Sequence, residues 1–462
     1  MVDVVAKLWG FCNTLRHDGI NYGDYIEQLT YLLFLKLADE KDIALPTGCK
    51  WSDLKSRQET DILEYYSKML RLLSNQKGIL KDIFEESINK FRYPNNLEKL
   101  VGLIDQVDWG SLDIDLKASA YEGLLQKYAV EQKGAGQYFT PRDVIRCVVR
   151  CIKPDFRENK DYQIHDPAAG TSGFLTSAHE WIMAETHNGA DLTVAEKERL
   201  AKSTFSGVEI VQETRRLGLM NLFLHRIVDG IYYGDALIEG PHLNRQYDCI
   251  MTNPPFGTKG AGEAPHRKDF TVRTSNKQLN FLQHLITVLK LNGKAAIVLP
   301  DNVLFESHAG REVKKRLLTD CNLHTILRLP IGTFSPYSPG VKANILFFNK
   351  ESSTKELWIY DLRTNMEKIT KNHPFTGMHF EAFERCYNEK PRKECERFRK
   401  YTLKDIEDRD YNLDIVWLKN SSIEDSEEIE SPYNLVSDMI SDVEAALNAL
   451  NDLALKVEST GA

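Results

Sequence analysis

The segment Gln163-Ile164-His165-Asp166-Pro167-Ala168-Ala169-Gly170-Thr171-Ser172-Gly173-Phe174 passes from an apolar strand, through a small-residue turn, into a helix. The strand candidate is Gln163–His165, and the helix is expected over Gly173–Glu185. Two glycines and two alanines strip side chains from a turn where the backbone can approach a ligand closely. The G-x-G-x-x-G pattern that cradles a pyrophosphate is absent, and an acid, Asp166, stands at the mouth instead. That acid suits a cationic or hydroxyl-bearing ligand better than a phosphate. A tight strand-to-helix turn with no ligand accounts for the same residues, so the flanking sequence has to arbitrate.

From residue 131 onward short β-rich runs alternate with amphipathic helices. Further strands are expected at Thr204–Val208, Asp248–Thr252, Ala295–Leu299, Thr325–Leu329 and Asn344–Phe348. Helices are expected between them at Gln212–His225, Lys277–Lys290 and Gly310–Asp320. Such alternation predicts an α/β fold with a mostly parallel sheet covered by helices on both faces. Ligands of these sheets bind outside the carboxyl ends of the strands. A second acid, Glu209, ends the next strand, where a carboxylate can accept two hydrogen bonds from a ribose diol. A polar insertion around His187–Lys202 lengthens its distance from Gly170 beyond the usual spacing of about 20 residues. A third, Asp235, follows another strand-like run. A single acid at a strand end is most simply a solvated charge; three at successive ends are more specific.

Tyr247-Asp248-Cys249-Ile250-Met251-Thr252-Asn253-Pro254-Pro255-Phe256-Gly257 is the sharpest signal. An apolar strand runs into two prolines, which cannot continue a ladder. The backbone is stiffened where a side-chain amide and an aromatic ring follow the strand. Such a site suits alkylation of an unreactive aromatic amine, whose lone pair is delocalised into its ring. The Asn253 side-chain oxygen and the Pro254 carbonyl can accept its two N–H bonds. That draws the nitrogen toward tetrahedral geometry and frees the lone pair for in-line attack, by orientation and electrostatics rather than by a strong base. Phe256 would stack on the flat substrate, a contact worth about 1–3 kcal/mol. A Pro-Pro turn that merely caps the strand is the competing explanation.

The rest of the chain sets the context. Residues 1–130 read as a helical domain, with apolar spacings of three and four from Tyr25 to Leu35 and weaker repeats over Asp61–Leu73, Ile79–Ile88 and Leu116–Tyr128. After residue 350 the pattern weakens around a basic run, Arg385–Lys400. Residues 401–462 hold 15 acidic side chains against four basic ones, a local net of −11 within a chain of 462 residues and net charge −8, which leaves residues 1–400 at +3. Their end, Asn434–Val457, has the spacing of an amphipathic helix that needs a partner face. The eight cysteines are scattered, with no Cys-x-x-Cys pair; Cys147 and Cys151 are read as core thiols, and no metal site is expected. With neither a signal peptide nor a spanning stretch in view, a cytoplasmic protein with no membrane partner is expected.

These motifs, in this order, resemble the class I, S-adenosylmethionine-dependent N6-adenine DNA methyltransferases, and more narrowly the modification subunit of type I restriction-modification systems. The resemblance covers nearly the whole chain, from Leu8-Trp9 to the tail segment Asp410-Tyr411-Asn412-Leu413. It implies a Rossmann-like methyltransferase core at 131–400, a helical N-terminal domain at 1–130, and an acidic helical tail for assembly at 401–462. It implies S-adenosylmethionine as cofactor, held by Asp166, Ala168, Gly170, Thr171, Ser172 and Gly173, with Glu209 on the ribose and Asp235 and Ala236 at the adenine. Gln137, Tyr138, Phe139, Thr140, Pro141 and Arg142 match the family's segment that closes over the cofactor. Asn253, Pro254, Pro255 and Phe256 match its catalytic tetrapeptide, and a Phe at the last position is usual for this subunit type. The implied target is an adenine flipped from the duplex at a cost of a few kcal/mol. Its amino group attacks the sulfonium methyl directly, and the positive sulfur leaves without acid assistance.

About 110 residues follow the core strands, too few for two target-recognition domains of roughly 100–150 residues each. The family's assemblies supply that reading through a separate specificity subunit, with two methylating subunits per specificity subunit, and nuclease subunits can join. Duplex DNA is expected at a Gly-rich basic loop, residues 258–278, through Lys259, Arg267, Lys268 and Arg273, and this loop is expected to be mobile. A solvated surface loop is its simpler alternative. Competing readings of the whole are a stand-alone methyltransferase acting on RNA or protein, and a non-catalytic scaffold that has kept the fold.

Overall fold

In the computed structural model the described residues run from 6 to 418, apart from 7, 13–14, 16–18, 41–42, 108, 110–113, 132–138, 229, 257–263, 336–339, 367–368, 370–372 and 374. They divide into two compact units. The first takes in residues up to Ile145 and Lys153–Asp235; the second takes in Arg146–Ile152, Ala236–Ser335 and the described residues after 339.

The first unit opens with helices α1 (Tyr22–Glu40), α2 (Trp51–Lys55), α3 (Glu59–Ser74), α4 (Ile79–Phe84), α5 (Pro94–Asp105) and α6 (Ile114–Glu131), followed by the start of α7 (Arg142–Ile152). In α1 the expected apolar face is buried, from Tyr25 and Leu29 to Leu33 and Leu37. Then come β1 (Ile164–Asp166), α8 (Gly173–Glu185), α9 (Val194–Lys202), β2 (Phe205–Glu209), α10 (Gln212–Leu224) and β3 (Ile231–Tyr233). The strands lie in the order β3-β2-β1, and both pairings are parallel. The polar insertion is α9 and its approaches, with Thr193 accepting from the Glu196 N–H as N-cap. The expected edge at residue 130 is not an edge of packing. In α10, Arg215 donates to Asp82, and Arg216 donates to the Ile83 and Glu85 carbonyls and pairs with Glu27. Those bonds place the N-terminal helices and the first three strands in one unit.

The second unit holds β4 (Tyr247–Thr252), α11 (Lys277–Val288), β5 (Leu289–Pro300), α12 (Asn302–Phe305), α13 (Ala309–Asp320), β6 (Asn322–Arg328), β7 (Ala343–Asn349), β8 (Glu356–Asp361), α14 (Glu381–Asn388), β9 (Phe398–Thr402) and α15 (Leu403–Glu407). Its strands lie in the order β4-β5-β7-β6-β8-β9. Pairings β4–β5 and β6–β8 are parallel, as expected of a mostly parallel sheet, and the departures from it are local. Strand β7 runs antiparallel to both β5 and β6, and β9 antiparallel to β8. No helix intervenes between β6 and β7 among the described residues, so the chain makes no crossover and must return antiparallel.

One more expectation changes. Residues 401–418 belong to this unit rather than to a tail: β9 ends at Thr402, Leu413 and Ile415 are buried, the Leu413 N–H donates to Leu304, and Arg328 pairs with Asp414 at 2.6 Å. Asn434–Val457 lies outside the described residues. The reading of the cysteines holds: none of the eight is in a disulfide, and Cys147 and Cys151 are buried. No helix among the described residues is long and apolar enough to cross a membrane.

Candidate active site

The glycine turn is built from its own backbone and two neighbours. The Asp166 carboxylate accepts from the Ala168 N–H at 3.0 Å, which bends the chain straight off β1. The Ala169 N–H donates to the Val208 carbonyl at 2.9 Å and so pins the turn to β2. Gly170 and Ser172 both take left-handed backbone, at φ 53° and 65°. From beneath, Asn221 on α10 donates to the Thr171 carbonyl at 3.0 Å. Gly218 on the same helix passes so close that a Cβ there would stand 2.8 Å from both the Gly170 carbonyl and the Ser172 hydroxyl.

Glu209 has a role that its position as a strand-end acid did not disclose. Its Oε2 accepts from the Gly170 N–H at 2.9 Å and its Oε1 from the Val211 N–H at 2.9 Å. The carboxylate therefore clamps the turn to the end of β2. Burial raises its pKa, although the backbone N–H groups pull the other way. A carboxylate offers about four lone-pair sites, so two bonds leave acceptor capacity for a diol. The Ser172 hydroxyl is fully buried and has no hydrogen-bond partner among the described residues. An acid with spare acceptor capacity, an orphaned hydroxyl and a side-chain-poor turn fit a ligand carrying hydroxyl and ammonium groups, as S-adenosylmethionine does. Asp235 is half-buried just past β3, where the Gly234 N–H donates to the Glu209 carbonyl at 3.0 Å.

The segment at 137–142 is placed in part. Gln137 and Tyr138 lie outside the described residues. Phe139 is buried, edge-on to Tyr128 at 6.3 Å. Thr140 and Pro141 are half-buried, and the Pro141 carbonyl starts α7 by accepting from Ile145. Arg142 is engaged with protein: it pairs with Glu122 of α6 and Glu180 of α8, and donates to Ser177. Glu122, Glu180 and His225 converge closely enough to hold a metal ion, but both carboxylates already pair with the Arg142 guanidinium. That cluster is an ion network between helices.

In the second unit the buried strand β4 delivers Asn253, Pro254, Pro255 and Phe256 at its carboxyl end. Asn253 and Phe256 are half-buried. The Phe256 ring meets the edge of Phe334 at 5.3 Å and 86°, and the Pro255 carbonyl accepts from Gln278 Nε2 at 2.8 Å. Sequence reasoning missed Gln278 and Phe334, as it missed Asn221 and Gly218 beneath the glycine turn. Only Gln278 carried a signal: its helix α11 also holds Asn280, Gln283 and His284, and all four are buried where a helix face of that kind should be apolar.

The basic loop needs correction. Lys259 lies outside the described residues. Lys268 and Arg273 are exposed, but Arg267 is not available to DNA: its side chain is 0% exposed. It forms an ion pair with Asp269 at 2.5 Å, donates to the Ala236 carbonyl at 2.9 Å, reaches His284 at 2.8 Å and lies over the Phe270 ring. Residues 264–276 are also held rather than loose. Gln283 bonds both the N–H and the carbonyl of Val272, and Asn280 donates to the Thr274 carbonyl. A bidentate guanidinium and buried amides anchor this strap, which a count of charges cannot reveal.

An Asp-led glycine turn on one set of strands and Asn-Pro-Pro-Phe at the end of another are the marks of an adenine amino-methyltransferase. A model of the N-6 DNA methylase family matches residues 112–427, and one of the HsdM N-terminal domain matches residues 4–44. The chain is 38% identical to the StySPI type I restriction enzyme methylase subunit of Salmonella potsdam, over 98% of this chain and 94% of that subunit. It is also 38% identical to the EcoKI methylase subunit of Escherichia coli K12, with the same shares covered. A chain in a solved structure on complex assembly and conformational transition of the type I R-M system aligns with TM-score 0.80 at 26% identity, covering 99% of this chain and 98% of that one. The protein belongs to the N6-adenine DNA methyltransferases, as a modification subunit of the type I restriction-modification kind, with the site-specific adenine methyltransferase activity of that family.

Proposed function

We propose that this chain is the catalytic methylation subunit of a type I assembly, transferring a methyl group to the N6 amino group of an adenine flipped out of duplex DNA, with sequence specificity supplied by a partner subunit. The observation that carries the reading is the tetrapeptide: an amide and a carbonyl fixed by two prolines at the end of a buried strand, beside a braced aromatic ring. When bound, S-adenosylmethionine supplies an activated methyl on a positive sulfur. The chain's own residues do the rest. Asn253 Oδ1 and the Pro254 carbonyl accept the two amino hydrogens and localise the lone pair. Phe256 stacks on the base and offsets part of the cost of flipping it. Asp166, the 168–173 turn and Glu209 bind and orient the cofactor, with Asp235 and Ala236 at its adenine end and Phe139–Pro141 closing over it, while Arg142 is tied to Glu122 and Glu180. The reading is tested by transfer of labelled methyl to duplex DNA in the presence and absence of the specificity subunit. Transfer only to RNA or protein would overturn it.

Lys268 and Arg273 are exposed residues of the basic loop, and they are proposed to touch phosphate. Replacing both with Ala should weaken DNA binding by the assembled complex several-fold. Each lost phosphate contact should also flatten the dependence of log affinity on log salt by about 0.9. Unchanged affinity and salt slope would remove the loop from the DNA interface.

The acidic tail is proposed to dock on the specificity subunit or on a second copy of this chain. Truncation has to spare Leu413, Asp414 and Ile415, which pack into the fold, so it belongs after Leu418. That truncated chain should bind S-adenosylmethionine as the full chain does and fail to co-elute with the specificity subunit. A complex that survives would refute the docking role.

A further inference from the structure

A Pro-Pro pair anchors badly. Neither residue has a backbone N–H, so the peptide planes between Asn253 and Pro255 can be held only through their carbonyls. The rings lock φ at both prolines but leave ψ of Pro255 free, and that rotation sets the direction in which Phe256 leaves the strand. Among the described contacts, one hydrogen bond stops it: Gln278 Nε2 donates to the Pro255 carbonyl at 2.8 Å.

Gln278 is itself held rigidly. It is 0% exposed, on the first turn of α11. Its N–H and that of Leu279 donate to the Asn276 side chain at 3.0 and 3.2 Å, which caps the helix. Asn276 in turn donates to Glu306 at 2.7 Å. A buried amide is an expensive group to place beside a catalytic loop unless it has a task. The far restraint is Phe334, 1% exposed, whose ring meets Phe256 edge-on.

We propose that Gln278 is a positioning residue for methyl transfer: it fixes the Pro255–Phe256 peptide so that the Phe256 ring presents the target base squarely to the Asn253 and Pro254 acceptors. The inference rests on the catalytic reading of the tetrapeptide and goes beyond it, because Gln278 touches no substrate. Two acceptors and a stacking ring act together only if the base plane is fixed relative to both, and a small misplacement costs rate steeply.

The assembled methyltransferase carrying Gln278→Ala should lose about 10- to 100-fold in kcat, with the dissociation constant for S-adenosylmethionine unchanged. With 2-aminopurine at the target position, its fluorescence on binding should differ from that of the wild type, reporting altered stacking. Gln278→Glu supplies a readout that a packing role does not move. A protonated carboxyl can donate to the Pro255 carbonyl and a carboxylate cannot, so the activity of this variant relative to wild type should rise as pH falls. A flat ratio across pH overturns the proposal, even where Gln278→Ala is inactive through misfolding. Wild-type kcat in both variants overturns it as well. A wild-type assembly that methylates no DNA would instead fail the catalytic reading itself, so the two failures are distinguishable.

Discussion

Asn253→Ala should abolish detectable methyl transfer while leaving S-adenosylmethionine binding intact. The exocyclic nitrogen of adenine is a poor nucleophile because its lone pair belongs to the ring. Two acceptors that take both N–H bonds out of the ring plane would reverse that, and Asn253 is proposed to supply one of them. Removing a single preorganised partner of this type typically costs about 10²–10³ in kcat, or roughly 3–4 kcal/mol. The loss here should reach at least that range, because the remaining acceptor, the Pro254 carbonyl, cannot hold the second hydrogen. The fold should tolerate the change: Asn253 follows the last residue of β4, is half-buried, and its backbone position accepts Ala. The proposed cofactor ligands lie elsewhere in the chain, on the 166–173 turn and at Glu209. Calorimetry with S-adenosylmethionine and a labelled-methyl assay on the same preparation separate the two properties. Asn253→Asp keeps an acceptor oxygen and should retain more activity than Asn253→Ala. Equal rates in wild type and Asn253→Ala would remove the tetrapeptide from the mechanism.

The parts legible in the sequence were those fixed by neighbours along the chain. The glycine turn, the Pro-Pro brake after β4 and the apolar spacing of α1 and α8 are local, and each appears where its pattern puts it. Strand ends were off by one residue at β1 and β2, by three at the start of β6 and by six at the start of β5, because ladder partners rather than propensity set where pairing begins and stops. The strands after residue 350 went unread. β9, Phe-Arg-Lys-Tyr-Thr, sits at the end of the strand order with exposed Arg399 and Lys400, so its composition resembles a basic run more than a strand. Arg267 shows the opposite error. A basic residue in a Gly-rich stretch reads as a surface charge, and its burial depends on Asp269 nearby and on Ala236 and His284 much farther along the chain. Glu209, Gln278 and Phe334 share the same cause: each acts through a contact 20 to 80 residues away in sequence, and apart from the polar cluster on α11 the sequence carries no trace of such pairings.

Arg216→Met should be the most destabilising single change in the first unit, by about 3–5 kcal/mol. Arg216 is 2% exposed, on α10. Its Nε donates to the Ile83 carbonyl at 2.7 Å and its Nη2 to the Glu85 carbonyl at 2.6 Å, while Nη1 pairs with Glu27 and the guanidinium lies over the Tyr31 ring. Met fills much of the stem but leaves two buried carbonyls without donors and a largely buried carboxylate without its cation. The pH dependence identifies the cause. Burial already raises the Glu27 pKa, with Arg216 opposing it, so removing Arg216 raises it further. An acid whose folded pKa lies above its unfolded one binds more protons in the native state. Its contribution is therefore present at low pH and is lost as pH rises through the folded pKa. The deficit of the variant should accordingly be smaller at pH 5 than at pH 8 in denaturant titrations, and Glu27→Gln in the same chain should recover part of it. A deficit independent of pH would assign the loss to packing alone. The consequence for function follows from what else α10 does. The same helix carries Gly218 and Asn221 against the 168–173 turn, the proposed cofactor site. A helix released from α1 and α4 holds that turn less firmly, so Arg216→Met should also weaken S-adenosylmethionine binding, although Arg216 itself contacts only protein.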